Sequence, residues 1–203
     1  MWFRLVRLFV FVSAVMASAT AFAQTRTDAA QPSPPLWTGP YFGLTLGYGG
    51  ADLVGPGDAT GAQDGRETSI YTGFSWVRGA TFYAVEYDLT VNLGRDTVFG
   101  EPVQVGTRDA AVDWMTSLRG RYGIINEGTL VYATAGVAYS DTVSTGRSYD
   151  TGAVLGWGVE RPLSGLWALR GEALFYRFRP SDKTDRAEVD DAWVVRLGIA
   201  RRF

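Results

Sequence analysis

The chain has 203 residues, a formal net charge of -2, and neither cysteine nor histidine. This length predicts one domain, and the lack of cysteine excludes both a disulfide framework and a lipid-anchored cysteine. The lack of histidine removes the commonest general base and neutral metal ligand, and the near-neutral charge gives no reason to expect nucleic acid as a partner.

The first 23 residues have the three parts of a secretory signal. Arg4 and Arg7 precede an apolar run, and Ala21-Phe22-Ala23 predicts cleavage after Ala23. An uncleaved membrane anchor is the alternative, for which the apolar run is short. The proline-bearing residues that follow predict a periplasmic leader. We therefore expect a signal peptide at 1–23, a leader at 24–36 and one folded domain at 37–203.

Eight segments of the remaining chain alternate between apolar and small or polar side chains, and this period of two predicts β-strands. The strands are predicted at 37–52, 67–77, 81–93, 114 to the turn at 126–128, 129–140, 150–161, 167–178 and 192–203. Short turns are predicted at 78–80, 126–128 and 162–165, and long loops at 51–66, 94–111, 141–149 and 179–190. Long loops at one end and short turns at the other are typical of outer-membrane barrels. The predicted fold is all-β: an eight-stranded antiparallel up-and-down transmembrane β-barrel.

One face of the predicted strands is apolar and the other carries charges near mid-strand. The charged positions are Glu86, Asp88, Arg119, Arg121, Glu160, Arg170, Glu172, Arg196 and Arg202. Acids and arginines on one face suit a water-poor lumen in which each charge has a partner. The rest of that face is mostly Gly, Ala, Ser and Thr, which suits a narrow bore.

Aromatic residues gather near the strand ends of the apolar face, as in the girdles of membrane barrels. They are Tyr48, Trp76, Tyr83, Trp114, Tyr122, Trp167 and Trp193. We therefore expect the apolar face to contact lipid. The alternative is a soluble periplasmic lipocalin-like carrier with this face inside around an apolar ligand. The register of the fifth strand is ambiguous, and we favour Val131, Ala133, Ala135, Val137 and Tyr139 outward.

Four stretches together resemble one family: WTGPYFGLTLGYGG, SLRGRYGIINEGTLVYATAGVAY, GWGVE and the ending VRLGIARRF. They look like the small outer-membrane β-barrel proteins of alphaproteobacteria, which have an OmpA-like transmembrane barrel and are called surface antigens or small porins. The resemblance implies location in the Gram-negative outer membrane, contact with outer-membrane lipid and lipopolysaccharide, and insertion by the barrel-assembly machinery. That machinery reads a C-terminal aromatic residue in this class, here Phe203.

The expected function is a structural or surface role in the outer membrane. Eight strands leave a bore just wide enough for side chains, so the charged residues would close the lumen or leave a narrow pore. A binding or adhesion module acting through surface loops is another alternative.

No catalytic residue is assigned, because a serine nucleophile needs an adjacent base. No metal or cofactor is assigned, since the acidic loop at 179–190 lacks EF-hand spacing and haem iron lacks a His or Cys ligand. The oligomeric state is left open.

Overall fold

The computed structural model describes residues 37–91, 97–144, 146–179 and 186–203, so the predicted signal peptide and leader lie outside the described residues. The strands are β1 (Gly39–Gly55), β2 (Ala59–Arg78), β3 (Thr81–Val91), β4 (Val103–Val105), β5 (Arg108–Asn126), β6 (Thr129–Val143), β7 (Arg147–Ser164), β8 (Trp167–Arg179) and β9 (Glu188–Arg202). No helix in these ranges is long and apolar enough to cross a membrane.

The eight long strands form a closed antiparallel ring. Each pairs with the next long strand along the chain, and the pairing of β1 with β9 joins the two ends. The short strand β4 lies between β3 and β5 in sequence but pairs only at the edge of β5, so that β3 pairs directly with β5. Closure leaves no long strand with a free edge. The predicted eight-stranded up-and-down barrel is confirmed.

The short turns predicted at 78–80 and 126–128 lie where they were predicted, and the one predicted at 162–165 is at 165–166 because β7 extends to Ser164. The β5–β6 hairpin turns at Glu127 and Gly128, whose φ angles of 49° and 74° are those of a two-residue type I′ turn. Gly79 and Gly165 also have positive φ in the turns that precede β3 and β8. These turns mark the periplasmic end of the barrel.

Three of the predicted long loops are wrong in extent, because the strands continue past the segments that alternate. The predicted loop at 51–66 is instead a paired hairpin that turns at Pro56–Asp58. β6 runs to Val143 and β7 begins at Arg147. In the predicted loop at 94–111, β4 and the start of β5 form a small hairpin. Backbone pairing needs no side-chain alternation outside the membrane, so period two did not reveal these extensions.

The outward face of the barrel is apolar, which confirms the predicted orientation. Leu46, Leu118, Val137 and Leu155 on this face are each more than half exposed. The favoured register of the fifth predicted strand, now β6, is also confirmed: Val131 is 48% exposed and Tyr132 beside it only 2%.

Aromatic side chains lie at two levels of this outward face. At the extracellular level Trp114 and Tyr139 have ring centroids 5.5 Å apart, and at the periplasmic level Tyr83 and Tyr122 are also 5.5 Å apart. The distance from Trp114 to Tyr122 along β5 is about 26 Å at roughly 3.3 Å per residue. A tilt of about 40° reduces this to about 20 Å, close to the height of the lipid-facing band of such barrels.

The barrel interior is filled, because a smaller number of large inward residues occupy the space beside the predicted Gly, Ala, Ser and Thr. Large apolar residues pack above and below the charged residues, with Tyr41, Tyr71, Phe82 and Tyr132 toward the periplasm and Phe99, Met115, Tyr176 and Phe178 toward the outside. The many inward glycines make room for these rings rather than for an open bore. A Cβ on Gly73 would lie 2.5 Å from the Tyr41 hydroxyl, and one on Gly158 would overlap that of Tyr132.

Substitution of Leu118 by Arg tests the depth assignment. Leu118 lies midway between the two aromatic levels and is 52% exposed, so Leu118→Arg should lower the free energy of unfolding by about 2–4 kcal/mol. Leu169→Arg is the matched control, because Leu169 pairs with the native Arg161 near the periplasmic rim and should lose only about 0–1 kcal/mol. Equilibrium unfolding in lipid bilayers measures both. Equal losses would contradict the assignment.

Candidate functional site: the buried charge network

All nine charged residues predicted for the lumen point into the barrel, and none is more than 4% exposed. Strand alternation explains this placement, because charged residues two positions apart on one strand share a face. Glu86 and Asp88 lie on β3, and Arg119 and Arg121 lie opposite them on β5. The remaining five come from β7, β8 and β9, which follow one another around the ring: Glu160, Arg170, Glu172, Arg196 and Arg202.

Glu160 joins the network at its periplasmic end. Its carboxylate accepts hydrogen bonds from three guanidinium groups: Arg170 at 2.7 Å, Arg202 at 2.5 Å, and Arg121. Arg202 also donates to Ser75 Oγ at 3.2 Å. One carboxylate therefore connects β5, β7, β8 and β9.

Glu86 is the central acceptor. Arg170 donates to both carboxylate oxygens, at 3.0 and 2.7 Å. Arg119 binds Oε1 at 2.6 Å, and Arg121 binds Oε2 at 3.1 Å. The Tyr41 hydroxyl adds a hydrogen bond of 2.8 Å to Oε2. Because Arg170 comes from β8 and Glu86 from β3, these contacts span the bore rather than only neighbouring strands.

The network continues toward the outside through Asp88 and Glu172. Arg196 lies 2.7 Å from an oxygen of each carboxylate, and Arg119 lies 3.2 Å from Glu172. The Tyr132 hydroxyl donates to Glu172 at 2.8 Å. The nine residues thus form one continuous set of ion pairs.

The sequence prediction missed further members of the network. Glu67 is 1% exposed and accepts a hydrogen bond of 2.8 Å from Ser69, which also accepts from Arg196. With Glu67 included, five carboxylates face five guanidinium groups. Glu67 could have been found by extending the inward register of the second predicted strand by alternate residues. Tyr41 and Tyr132, which donate to Glu86 and Glu172, were also missed. Strand alternation alone does not distinguish an inward tyrosine that binds a carboxylate from one that only packs in the core.

Aromatic rings lie against three of the guanidinium groups. The Arg121 guanidinium carbon lies 3.8 Å from the Tyr132 ring centroid, and that of Arg170 lies 3.8 Å from Tyr71. Arg202 lies 4.3 Å from Trp37. Such contacts attract a cation to the ring face and exclude water from it.

A segment from the predicted loop at 94–111 closes the outer end. Val98 and Phe99 are fully buried in the barrel mouth, and the Val98 amide donates to the Val112 carbonyl at 2.7 Å. Gln63 fixes the segment by donating to the carbonyls of Gly100 and Glu101, at 3.2 and 3.0 Å. Apolar packing therefore covers the charge network from the extracellular side.

Phe203, the predicted assembly signal, lies at the periplasmic rim. Its side chain is 60% exposed, and its ring stacks on Phe42 at 6.4 Å. Its amide donates to the Pro40 carbonyl at 3.0 Å, so the chain end is held while the ring stays accessible.

Comparison with known proteins places these features among outer-membrane proteins. The chain is 30% identical over 183 residues to the 22 kDa outer membrane protein of Rhizobium leguminosarum bv. viciae, with 86% of this chain and 83% of that protein covered. It is 25% identical to the 31 kDa outer-membrane immunogenic protein of Brucella melitensis, covering 96% and 95%. The structure resembles Neisserial surface protein A, with a TM-score of 0.52 and 15% identity, covering 80% of this chain and 97% of that one. No family model matches.

Substitution of Glu160 by Gln tests the strength of the network. Three arginines would lose a charged partner in a buried site, so Glu160→Gln should lower the free energy of unfolding by about 3–5 kcal/mol. Asp191→Asn is the control, because Asp191 pairs with Arg177 at 2.5 Å on the exposed rim and should cost at most about 1 kcal/mol. Guanidinium unfolding followed by tryptophan fluorescence measures both. A loss for Glu160→Gln no larger than the control's would contradict the prediction.

Proposed function

Because this chain belongs to the family of small outer-membrane proteins that includes the 22 kDa outer membrane protein of Rhizobium leguminosarum bv. viciae, we propose that it is a closed barrel rather than an open pore. It is an integral protein of the outer membrane with a structural or surface role. A soluble lipocalin-like carrier would need its apolar face inside, and here that face points outward.

The filled bore is the observation that supports closure. Tyrosine and phenylalanine rings occupy the periplasmic third, the balanced ion network the centre, and Phe99 with its neighbours the extracellular mouth. An ion that entered would have to displace a guanidinium group from its carboxylates, and breaking a buried pair costs several kcal/mol. An eight-stranded barrel offers no second path around these side chains.

We further propose that the chain is not an enzyme and that its partners are lipids and assembly factors. The four carboxylates predicted for the lumen, Glu86, Asp88, Glu160 and Glu172, are each paired with arginine, and the chain has no histidine or cysteine to act as a base or nucleophile. The apolar outer face would contact outer-membrane lipid and lipopolysaccharide, and the accessible Phe203 ring would be read by the barrel-assembly machinery.

Conductance in planar lipid bilayers tests the closed barrel. The wild-type protein should show no steady conductance. Arg119→Ala, which leaves Glu86 and Glu172 without one of their guanidinium partners, should raise ion conductance or lower the melting temperature. Arg177→Ala is the control, because its side chain is 65% exposed on the rim, and it should change neither quantity.

Two results would contradict this proposal. A steady conductance of the wild-type barrel would show an open path. An Arg119→Ala barrel unchanged in both conductance and melting would show that the network does not close the bore.

Loss of the terminal aromatic ring tests the assembly role. Phe203→Ala should reduce the fraction of protein that reaches the outer membrane as a folded, heat-modifiable band in gels of unboiled samples. Phe42→Ala removes the ring stacked on Phe203 from the same rim and controls for lost packing. If both variants assemble equally well, Phe203 is not the assembly signal.

A further inference from the structure

Two arginines lie on the outward face of the barrel near its periplasmic end. Arg161 on β7 and Arg201 on β9 are both exposed, and alternation turns them away from their buried chain neighbours Glu160 and Arg202. Within the described ranges, neither side chain has an ion-pair partner. The outward positions around them are all apolar: Val159, Trp167, Leu169, Ile199 and Phe203. We call Arg161 and Arg201 the rim arginines.

Outward arginines at the extracellular end have acidic partners instead. Arg177 lies 2.5 Å from Asp191, and Arg147 pairs with Asp141 and, at 3.1 Å, with Asp113. The chain thus supplies carboxylates to these arginines, whereas the surface around the rim arginines has none. An anion that binds the rim arginines must therefore come from outside this surface.

The tilt of the strands determines which residues lie at the same depth in the membrane. The line of paired residues through Ser75 reaches β1 at Gly39 in one direction around the ring, and at Gly49 in the other direction. Such lines therefore climb toward the extracellular end by roughly one residue per strand, as closure of a tilted barrel requires. From β7 to β9 the climb is about two residues.

This climb brings the rim arginines to one depth. Arg161 pairs with Leu169, which pairs in turn with Ile199. Because the line has climbed at Ile199, Arg201 two positions nearer the periplasm is level with Arg161. Their Cα atoms are about 12 Å apart, from a strand spacing of about 4.8 Å and a rise of about 3.3 Å per residue. Two long side chains can reach one small group placed between them over β8.

Aromatic rings place this depth at the boundary between hydrocarbon and headgroups. The Arg201 guanidinium carbon lies 5.7 Å from the Trp167 ring centroid and 5.2 Å from that of Phe203. Aromatic belts mark this boundary in membrane proteins, and arginine is tolerated there. Leu169 and Ile199 lie next toward the membrane centre and are 45% and 42% exposed. The rim arginines therefore face headgroups, and apolar surface for acyl chains adjoins them.

We propose that the rim arginines bind the phosphate of an anionic phospholipid in the periplasmic leaflet. The planar guanidinium fork matches the oxygens of a phosphate group, and phospholipid phosphates lie at this depth. Zwitterionic phospholipids carry a cation beside the phosphate, so two uncompensated arginines favour a lipid of net negative charge, such as phosphatidylglycerol. This inference deepens the lipid contact proposed above and rests on it, but it does not depend on the closed bore.

Native mass spectrometry of the purified full barrel tests the proposal. The detergent micelles contain equal amounts of phosphatidylglycerol and phosphatidylcholine with the same acyl chains. The wild-type barrel should retain phosphatidylglycerol in preference to phosphatidylcholine. The double variant Arg161→Gln with Arg201→Gln should lose most of this preference, because each arginine near an anionic headgroup contributes about fivefold to binding.

The double variant Arg147→Gln with Arg177→Gln is the matched control. It removes the same two charges from the extracellular end, where both arginines have acidic partners, and should keep the preference. If the double rim variant does not fold, Arg161→Gln replaces it, since Arg201 and its ring contacts remain; the preference should fall about fivefold. Excess soluble glycerol phosphate, which has the headgroup chemistry without acyl chains, should not displace the bound lipid.

Three results would overturn the proposal. A wild-type barrel without preference would show that the rim arginines do not select an anionic lipid. An undiminished preference in the folded rim variant, or an equal loss in the control, would place binding elsewhere. Displacement by glycerol phosphate would show a site for free phosphate rather than for lipid. None of these results bears on the closed bore, which conductance tests, or on contact of the apolar face with lipid, which unfolding of Leu118→Arg in bilayers tests.

Discussion

Pairing of four buried carboxylates with five guanidinium groups is the constraint on which the interior of this barrel depends. Ion pairs of this kind do not stabilise a protein more than an apolar core of equal volume would. They do, however, penalise every alternative arrangement. Glu160 binds arginines from β5, β8 and β9, and Glu86 binds arginines from β5 and from β8 across the bore. Moving any one of these strands therefore leaves several buried charges unpaired.

The same network specifies strand register. Sliding β5 by one residue would turn Arg119 and Arg121 outward, where each arginine at the bilayer midplane costs about 2–4 kcal/mol. It would also bring Leu118 and Tyr122, which now face outward, into the lumen. The apolar outer face cannot specify strand register alone, because an apolar side chain contacts lipid equally well at neighbouring positions along a strand. The outer face therefore determines depth in the membrane, and the interior determines which strand positions meet.

The alternation of apolar and polar residues predicted which side chains face the lumen. It did not predict which of them contact each other across the bore or how far the strands extend. Period two placed Glu86, Arg119 and Arg196 inside because adjacent side chains on a strand must point to opposite faces. It could not predict that Arg170 would reach Glu86 across the bore, since that contact depends on the tilt and stagger of the whole ring. Nor could it show that β1 and β2 continue to Pro56, because hairpins in water pair through their backbones without an apolar face.

Charged groups are paired differently in the lumen and at the extracellular mouth, because different parts of the strands provide the side chains. In the lumen every acid that was predicted from the sequence is paired with an arginine on a neighbouring or facing strand. At the mouth Ser140 on β6 and Asp150 on β7 are buried, while Arg147 lies on the outside of β7 and pairs there with Asp113 and Asp141. Alternation again explains this, because Arg147 and Ser148 are adjacent on β7 and must face opposite ways. A single polypeptide ring thus pairs arginines inside the bore where lipid surrounds it and on its outer surface beyond the membrane.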